Sequence, residues 1–412
     1  MMAEQEHLVL RVPDDQNIET MRPAVRRGQT YQYFRWGREP QLVSTSTRII
    51  LMIFKAIFCS LGLWSHRSWN YIPRLLFVVI CAVQVSLQIS SDLNCPYFDC
   101  NFNEKHSNLT VLTVFPGTQK ACYSLLSFAA LLSYVVFITS VTTFRGTESA
   151  LVSPSRSMIE DCDKTAILWL FIGFVGFLSS LFIGLTLFLY LKLYNNNNTY
   201  LSKLCIVYNL TAAVLAHWAS VNTCHAFAVS SSSLGTIAKD TFRLIRDVEN
   251  GTLDDIIRIH EDLCTVVLNT VSAYKVWFVL HWLTYGAGIL VYFMLTSEEL
   301  SGDKNSVSTA FKVYTCLLFV CFFYVFILPC IYAARITSAC AGIYDRINCT
   351  TSDDWNEGHP FKDRRNIFLF LAYAKDRGCG FKIGRIRFNS SLTWFSFLFG
   401  LLGLLYHFFQ AA

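Results

Sequence analysis

No aspartate or glutamate falls within any of the seven long apolar segments of this 412-residue sequence. Ionisable groups buried in a bilayer mark ion and proton pathways, so their absence argues against a transporter driven by sodium or protons. Charge is scarce throughout: 15% of residues are charged and 53% apolar, where a soluble chain carries about a quarter charged. An ordinary soluble domain is excluded, and a multi-pass membrane protein is left. Catalytic signatures are missing too. There is no activated nucleophile, no phosphate loop and no pair of carboxylates, so the chain is not read as an enzyme and calls for no cofactor. The glycine-rich "GCGFKIG" (Gly378–Gly384) follows no strand, and its lysine suits a loop at the membrane surface. The 15 cysteines include no C-x-x-C pair and no Cys/His spacing suited to a metal. The first 48 residues are polar and charged, so no cleavable signal is expected and the first span serves as its own targeting signal.

What is present is a series of apolar stretches, each near the ~20 residues a spanning helix needs. They are Leu75–Ser91, Ala121–Phe144, Thr165–Leu191, Leu204–Ser232, Val276–Leu295, Val313–Ala334 and Asn389–Phe409. An eighth stretch, Ile49–Trp64, is short and carries Lys55 near its middle. A central lysine costs about 2.5–3.5 kcal/mol on insertion, so a helix on the membrane surface or packed beneath the first span is expected there. Positive charge decides orientation. The connections 1–74, 145–164, 233–275 and 335–388 hold 28 Lys and Arg; the alternate set 92–120, 192–203 and 296–312 holds 6. Within about 20 residues of a span end the ratio is 18 to 6. The expectation is an all-α, seven-transmembrane protein of the plasma membrane with a cytosolic N-terminus and an extracellular C-terminus.

Residues 1–74 form a cytosolic region containing the helix near 49–64, and 75–409 form the transmembrane domain. The inner segments 233–275 and 335–388 act as cytosolic anchors. Leu244, Ile256, Ile257, Ile259, Leu263, Val266, Val267 and Val271 repeat at helical spacing. Asn250-Gly251 supplies a break, and Thr252 can cap the next helix. Helices four to seven are thus expected to run on into the cytosol. "RRNIFLFLAYAKDR" is helical but too short to cross. Cys95 and Cys100 share an outer loop, where they pair as a disulfide or remain free thiols. Asn108 and Asn197 are outer-loop glycosylation sequons. His217, His225 and His281, inside spans, have no ligand-set spacing and suit hydrogen-bonded interior positions. The basic residues beside the spans meet anionic lipid, and nothing points to nucleic acid.

Seven helices with the N-terminus inside reverse the arrangement of a G-protein-coupled receptor, and neither Asp-Arg-Tyr nor Asn-Pro-x-x-Tyr is found at that family's positions. "IHEDLCTVVLNTVSAYKVWF" (Ile259–Phe278) and the closing "GLLGLLYHF" (Gly400–Phe408) resemble the insect odorant and gustatory receptor superfamily, which includes gustatory-receptor-like proteins outside insects. His260, Leu263 and Asn269 match its His-x-x-Leu stretch and the Asn beyond it. Phe408 matches the last motif, while His407 stands at its Gln and Gly400 and Leu401 replace its Thr-Tyr. The resemblance implies a ligand-gated, non-selective cation channel subunit. Four copies, as a homotetramer or with a related subunit, place their last helices around a pore. Helices two to six hold a ligand pocket in the outer half of the membrane.

On that reading Leu404 forms the constriction and His407 a polar ring beyond it, with Gly400 and Phe408 beside them. Thr393, Phe397, Gly400, Leu404 and His407 share one helix face, and Ser396, Gly400 and Gly403 form a stripe of small residues suited to close helix approach. Tyr123, Phe128, Phe188, Tyr190 and Tyr208 are candidates to line a pocket for a small, mostly hydrophobic ligand; interfacial aromatics also serve as lipid anchors. Two other readings fit the same composition: a non-conducting seven-helix receptor or scaffold that signals through cytosolic partners, and a facilitator for a neutral substrate.

Overall fold

The computed structural model describes residues 45–63, 71–94, 117–143, 164–189, 200–246, 252–301, 309–348 and 364–394, together with 396, 398 and 402. Helices α1 (Thr45–Ser60), α2 (Tyr71–Asn94), α3 (Gly117–Thr143) and α4 (Lys164–Leu189) come first. Three long helices come next: α5 (Tyr200–Arg246), α6 (Leu253–Ser301) and α7 (Thr309–Asn348), then the short α8 (Arg364–Arg377). A hairpin of β1 (Lys382–Ile383) and β2 (Ile386–Arg387) precedes a last helix that begins at 390. α2, α3 and α4 fall where the first three spans are expected. Among the described residues, Ile167–Gly184, Leu253–Leu290 and Cys316–Ile347 are long and apolar enough to cross a bilayer, with shorter apolar stretches at Ile72–Ser86 and Leu125–Ser140.

Length explains the anchor. α5, α6 and α7 have 47, 49 and 40 residues. At 1.5 Å per residue they are about 60–75 Å long, twice the ~30 Å hydrocarbon layer. Their charged parts share one end of the bundle, because the chain reverses direction between them: Lys239 to Arg243 late in α5, Asp254 to Asp262 early in α6, Arg335 to Arg346 late in α7. Of the eight residues whose spacing foretells this face, Ile256, Ile259, Leu263, Val266, Val267 and Val271 are buried, and Leu244 and Ile257 are half-buried. The break before α6 is closed by a capping box. Asp255 N–H donates to Thr252 Oγ1 at 3.3 Å, and Thr252 N–H donates to Asp255 Oδ2 at 3.0 Å.

α1 packs on α4 and α5. Phe54 and Phe58 are buried and stack 5.7 Å apart, and Phe54 sits 6.0 Å from Phe174 and 6.2 Å from His225. Lys55 is exposed, as its charge requires. The turn after α1 is held from both neighbouring helices: Tyr134 of α3 donates to the Leu61 carbonyl at 2.6 Å, and Arg74 of α2 donates to that of Gly62.

"GCGFKIG" is not a membrane-surface loop. Residues 378–381 are buried. Gly378, with φ of 57°, ends α8 by donating its N–H to the Ala374 carbonyl. Gly380 has φ of 134°, and a Cβ there would stand 3.2 Å from Thr337 Cα. Only glycine lets the chain come this close to α7. The approach seats Phe381, whose N–H donates to Thr337 Oγ1 at 3.0 Å. Its ring lies 4.8 Å from Phe278, 5.7 Å from Phe388 and 5.8 Å from Phe227. Arg387 closes the turn by donating to the Cys379 carbonyl at 3.0 Å. Sequence alone hides this, because two-residue strands have no readable periodicity.

Gly380→Ala should lower stability by about 1–3 kcal/mol through strained backbone and the crowding at Thr337. Gly176→Ala in α4, whose Cβ meets open space, should leave stability unchanged or raise it. Thermal unfolding of the detergent-solubilised protein compares the two; equal melting points would refute the account of Gly380.

Candidate functional site

α5 is the innermost helix. Every residue from Ala219 to Ser231, "ASVNTCHAFAVSS", is buried. Small residues let neighbouring helices approach, and the hydroxyls, thiol and imidazole supply hydrogen bonds where lipid supplies none. Around this helix the interior is aromatic and polar, without a carboxylate among the described residues.

One backbone defect organises the centre. Pro329 lies inside α7. It has no N–H, so the carbonyl of Val325, four residues earlier, loses its helical donor. His281 of α6 stands in, with Nε2 at 3.2 Å, and the Cys224 thiol of α5 donates to the same oxygen at 3.7 Å. The other ring nitrogen, Nδ1, accepts from the hydroxyls of Ser133 at 3.2 Å and Ser220 at 3.3 Å. A carbonyl can only accept, so Nε2 carries a proton; the Cys224 sulfur also lies 3.0 Å from this nitrogen. One imidazole thus joins α3, α5, α6 and α7.

Two further imidazoles flank it. His217 Nδ1 pairs with the Tyr285 hydroxyl at 3.1 Å. His225 Nδ1 donates to the Val221 carbonyl at 2.8 Å, so its Nε2 accepts from the Tyr324 hydroxyl at 2.9 Å. The rings of Trp277 and Tyr285 lie tilted beside His281 at 5.1 and 4.6 Å, and Phe174 meets His225 edge-on at 5.1 Å. All three in-membrane histidines are therefore hydrogen-bonded interior residues. Their partners come from other helices and so are invisible to spacing. A proline inside a span, with histidine in the preceding span and serine and cysteine in the one before that, is the signal that points to them.

The anchor holds a second cluster. His260, fully buried, pairs through Nε2 with the Tyr344 hydroxyl at 3.1 Å. Phe370 and Tyr373 of α8 lie 5.5 and 5.8 Å from its ring. Cys379 Sγ is 3.0 Å from Cys340 Sγ. A hydrogen bond with Cys264 pulls the Cys379 thiol down; its bond with Cys340 and burial outweigh it and push the thiol well above the ordinary range. The Cys379 thiol is thus held in its neutral form, and no metal-holding group of His, Cys, Asp or Glu occurs among the described residues. His260 ties α6 to α7 and α8, and Leu263 is buried beside it on α6.

Of the sequence candidates, Phe128 lies with Leu125 and Leu132 on the exposed face of α3, at 46% exposure. That exposure suits a lipid anchor. Tyr123, Phe188 and Tyr208 lie on α3, α4 and α5, with side chains outside the described residues. Tyr190, Cys95, Cys100, Asn108, Asn197, Gly400, Leu404, His407 and Phe408 also lie outside them. The foot of the last helix is described. Thr393 donates to the Cys330 carbonyl of α7 at 3.2 Å, and Ser396 is buried and donates to the Leu392 carbonyl. Trp394, Leu398 and Leu402 form an exposed apolar stripe.

No family model and no curated protein matches this sequence. Solved structures do. The insect olfactory receptor OR5 from Machilis hrabei, in complex with eugenol, is 13% identical with a TM-score of 0.56; the match covers 89% of this chain and 98% of that one. The same receptor in a second structure gives 13% identity, a TM-score of 0.53, and coverage of 87% and 97%. The likeness runs through nearly the whole of both chains and establishes a shared helical fold.

His281→Leu strands the Val325 carbonyl and should lower stability by about 1–3 kcal/mol. Pro329→Ala returns an N–H to that carbonyl, so the double variant should regain about 1 kcal/mol of the loss. Unfolding in detergent measures the cycle; strict additivity would mean that the histidine does not serve the proline's orphaned acceptor.

Proposed function

We propose that this chain is a divergent member of the insect odorant and gustatory receptor superfamily and acts as a chemoreceptor at the plasma membrane. The finer reading is a ligand-gated, non-selective cation channel subunit, with the last helix of each of four subunits lining the pore. The observation that carries it is the fold shared with an insect olfactory receptor along almost its entire length, met independently by the sequence motifs at His260, Leu263, Asn269 and Phe408. The relative was solved with eugenol, a small, largely apolar phenol. A ligand of that class suits a bundle whose interior is aromatic and carboxylate-free. Tyr123, Phe188, Tyr190 and Tyr208 are proposed to line its pocket from the outer ends of α3, α4 and α5. Phe128 is left out because it faces away from the bundle.

For the pore, support comes from composition and from the foot of the last helix. The segment from Ser390 to Ala412 has no charged side chain, and its exposed stripe of Trp394, Leu398 and Leu402 suits a neighbouring subunit as well as lipid. Leu404 is proposed as the hydrophobic constriction, which gates by dewetting, and His407 as the polar ring that rehydrates the ion beyond it. Gly400 and Phe408 flank them. The charge bias places this mouth outside the cell. Outer-loop glycosylation at Asn108 and Asn197, and a disulfide between Cys95 and Cys100, are consistent with that orientation.

Histidine titrates near ~6.5 in water, and four imidazolium groups around a pore repel cations. Acidifying the outer solution to about pH 5.5 should therefore reduce ligand-evoked current severalfold, and His407→Gln should remove the sensitivity. Whole-cell recording with a panel of small apolar ligands, beside native mass spectrometry for a four-subunit particle, tests the proposal. A monomer that evokes no current would return the chain to the non-conducting reading, and unchanged acid block in the variant would take His407 out of the gate.

A further inference from the structure

A cavity of about 480 Å³ opens between α4, α5 and α7 at the end of the bundle where their charge gathers. Three cations line it: Lys239 of α5, and Arg335 and Arg346 of α7. All three are exposed, and no carboxylate lies within ion-pair reach of any of them among the described residues. The arginines are propped in place by aromatic rings. Arg335 lies 4.8 Å over Tyr332, and Arg346 lies 5.2 Å over Phe242, itself a wall of the cavity.

A second observation points to a ligand. Ser231, only 1% exposed, lines the same cavity, and its hydroxyl has no hydrogen-bond partner. A buried hydroxyl left unpaired costs about 1–3 kcal/mol, which an acceptor delivered from outside removes. The hollow exists because two glycines face it. A Cβ built on Gly235 or Gly342 meets no atom within 4 Å. Three unpaired cations, an unpaired buried donor and room for a group between them call for a compact polyanion rich in acceptor oxygens.

We propose that this cavity binds a phosphate-bearing headgroup, that of an anionic phospholipid of the cytosolic leaflet. Phosphate meets arginine through charge-assisted, often forked, hydrogen bonds. The charge bias assigns this end of the bundle to the cytosol, where anionic lipid resides and basic pockets between spans take such headgroups. A lipid is favoured over a free phosphate because the cavity meets the outer face of α4. Trp169, a lining residue, is 62% exposed, and Leu168, Ile172 and Val175 continue that apolar surface along the spanning part of the helix. A headgroup seated among the arginines leaves its acyl chains against these side chains. The bound lipid would then bridge α4 to the inner ends of α5 and α7. The site does not depend on whether the chain conducts.

The full chain is reconstituted in nanodiscs of phosphatidylcholine with or without phosphatidylinositol bisphosphate, and lipid retention is read by native mass spectrometry. Arg335→Gln with Arg346→Gln should lower retention of the inositol lipid about tenfold, the loss of charge-assisted contacts. Gly342→Leu fills the hollow, keeps every charge and favours the helix, so it should produce the same loss in a folded protein. Lys382→Gln with Arg385→Gln, basic residues outside the cavity, should change retention less than about twofold. Soluble inositol trisphosphate should compete with the lipid, more weakly than the lipid binds. Retention unchanged in both cavity variants, or lowered as much by the control pair, would overturn the site in favour of diffuse surface charge. Trisphosphate binding without lipid retention would overturn the lipid assignment. Matching melting points for all variants show that folding is not the cause.

Discussion

A single carbonyl without its amide sets the terms for the centre of this bundle. Water cannot reach the middle of a bilayer to satisfy the Val325 oxygen that Pro329 leaves open. The repair must come from neighbouring helices, and it fixes their identity and rotation. His281 supplies the donor, Cys224 a weaker one, and Ser133 and Ser220 hold the ring. For these groups to meet, α5 must lie inside the others, so its surface there must be small and polar. The least apolar long helix in the sequence is therefore the one whose stretch from Ala219 to Ser231 is wholly buried among its neighbours. Lipid is met instead by α2 and α4, whose exposed faces carry Leu75, Leu76, Val79, Phe182 and Ile183.

The helix that contains the proline also seats the root of the last helix. Cys330, the next residue, receives the Thr393 hydroxyl from the foot of that helix. Two turns further on, Thr337 receives the N–H of Phe381 and fixes the hairpin from which the last helix departs. α7 therefore meets the imidazole cluster on one side and the root of the last helix on the other, within a dozen residues. The turn at its proline and the position of the last helix are thus linked. Any change in packing between α5 and α6 therefore acts on the group that serves the open carbonyl of α7.

Much of this is legible in the sequence, and the illegible parts share a cause. Residue charge and apolar length, both local properties, reveal the helices, the anchor extensions, the buried face from Ile256 to Val271 and the cap at Thr252. Partner choice is not local. Nothing in Ile49–Trp64 says that Phe54 packs on Phe174. Gly380 reads as a loop residue until Thr337, 43 positions earlier, is seen within 3.2 Å of its missing Cβ. Phe128 is a pocket candidate by residue type, and its exposure depends on how α3 is rotated. The histidines are readable as interior groups, but the reason for His281 lies in a proline on the next helix. Sequence suffices to say which residue type suits a depth in the membrane. Which helix face meets which emerges only in the folded chain.

The division between neutral and charged groups arises from unequal costs. A neutral hydrogen bond between spans contributes about 0.6–2 kcal/mol, whereas a charge at mid-membrane costs about 2.5–3.5 kcal/mol even on the most lenient scales. A bundle that needs polar contacts between helices, yet must let them shift, is better made of imidazoles, hydroxyls and thiols than of ion pairs. Each such bond is weak enough to exchange partners and too costly to leave open. That is the arrangement around His281, His217 and His225. The cations are kept to the rim, at Lys239, Arg335 and Arg346, where solvent and lipid headgroups stabilise them and where α5 and α7 end their climb out of the bilayer. Neutral contacts thus set how the helices pack in the middle, and charge sets how deep they sit, so substitutions at one level need not disturb the other.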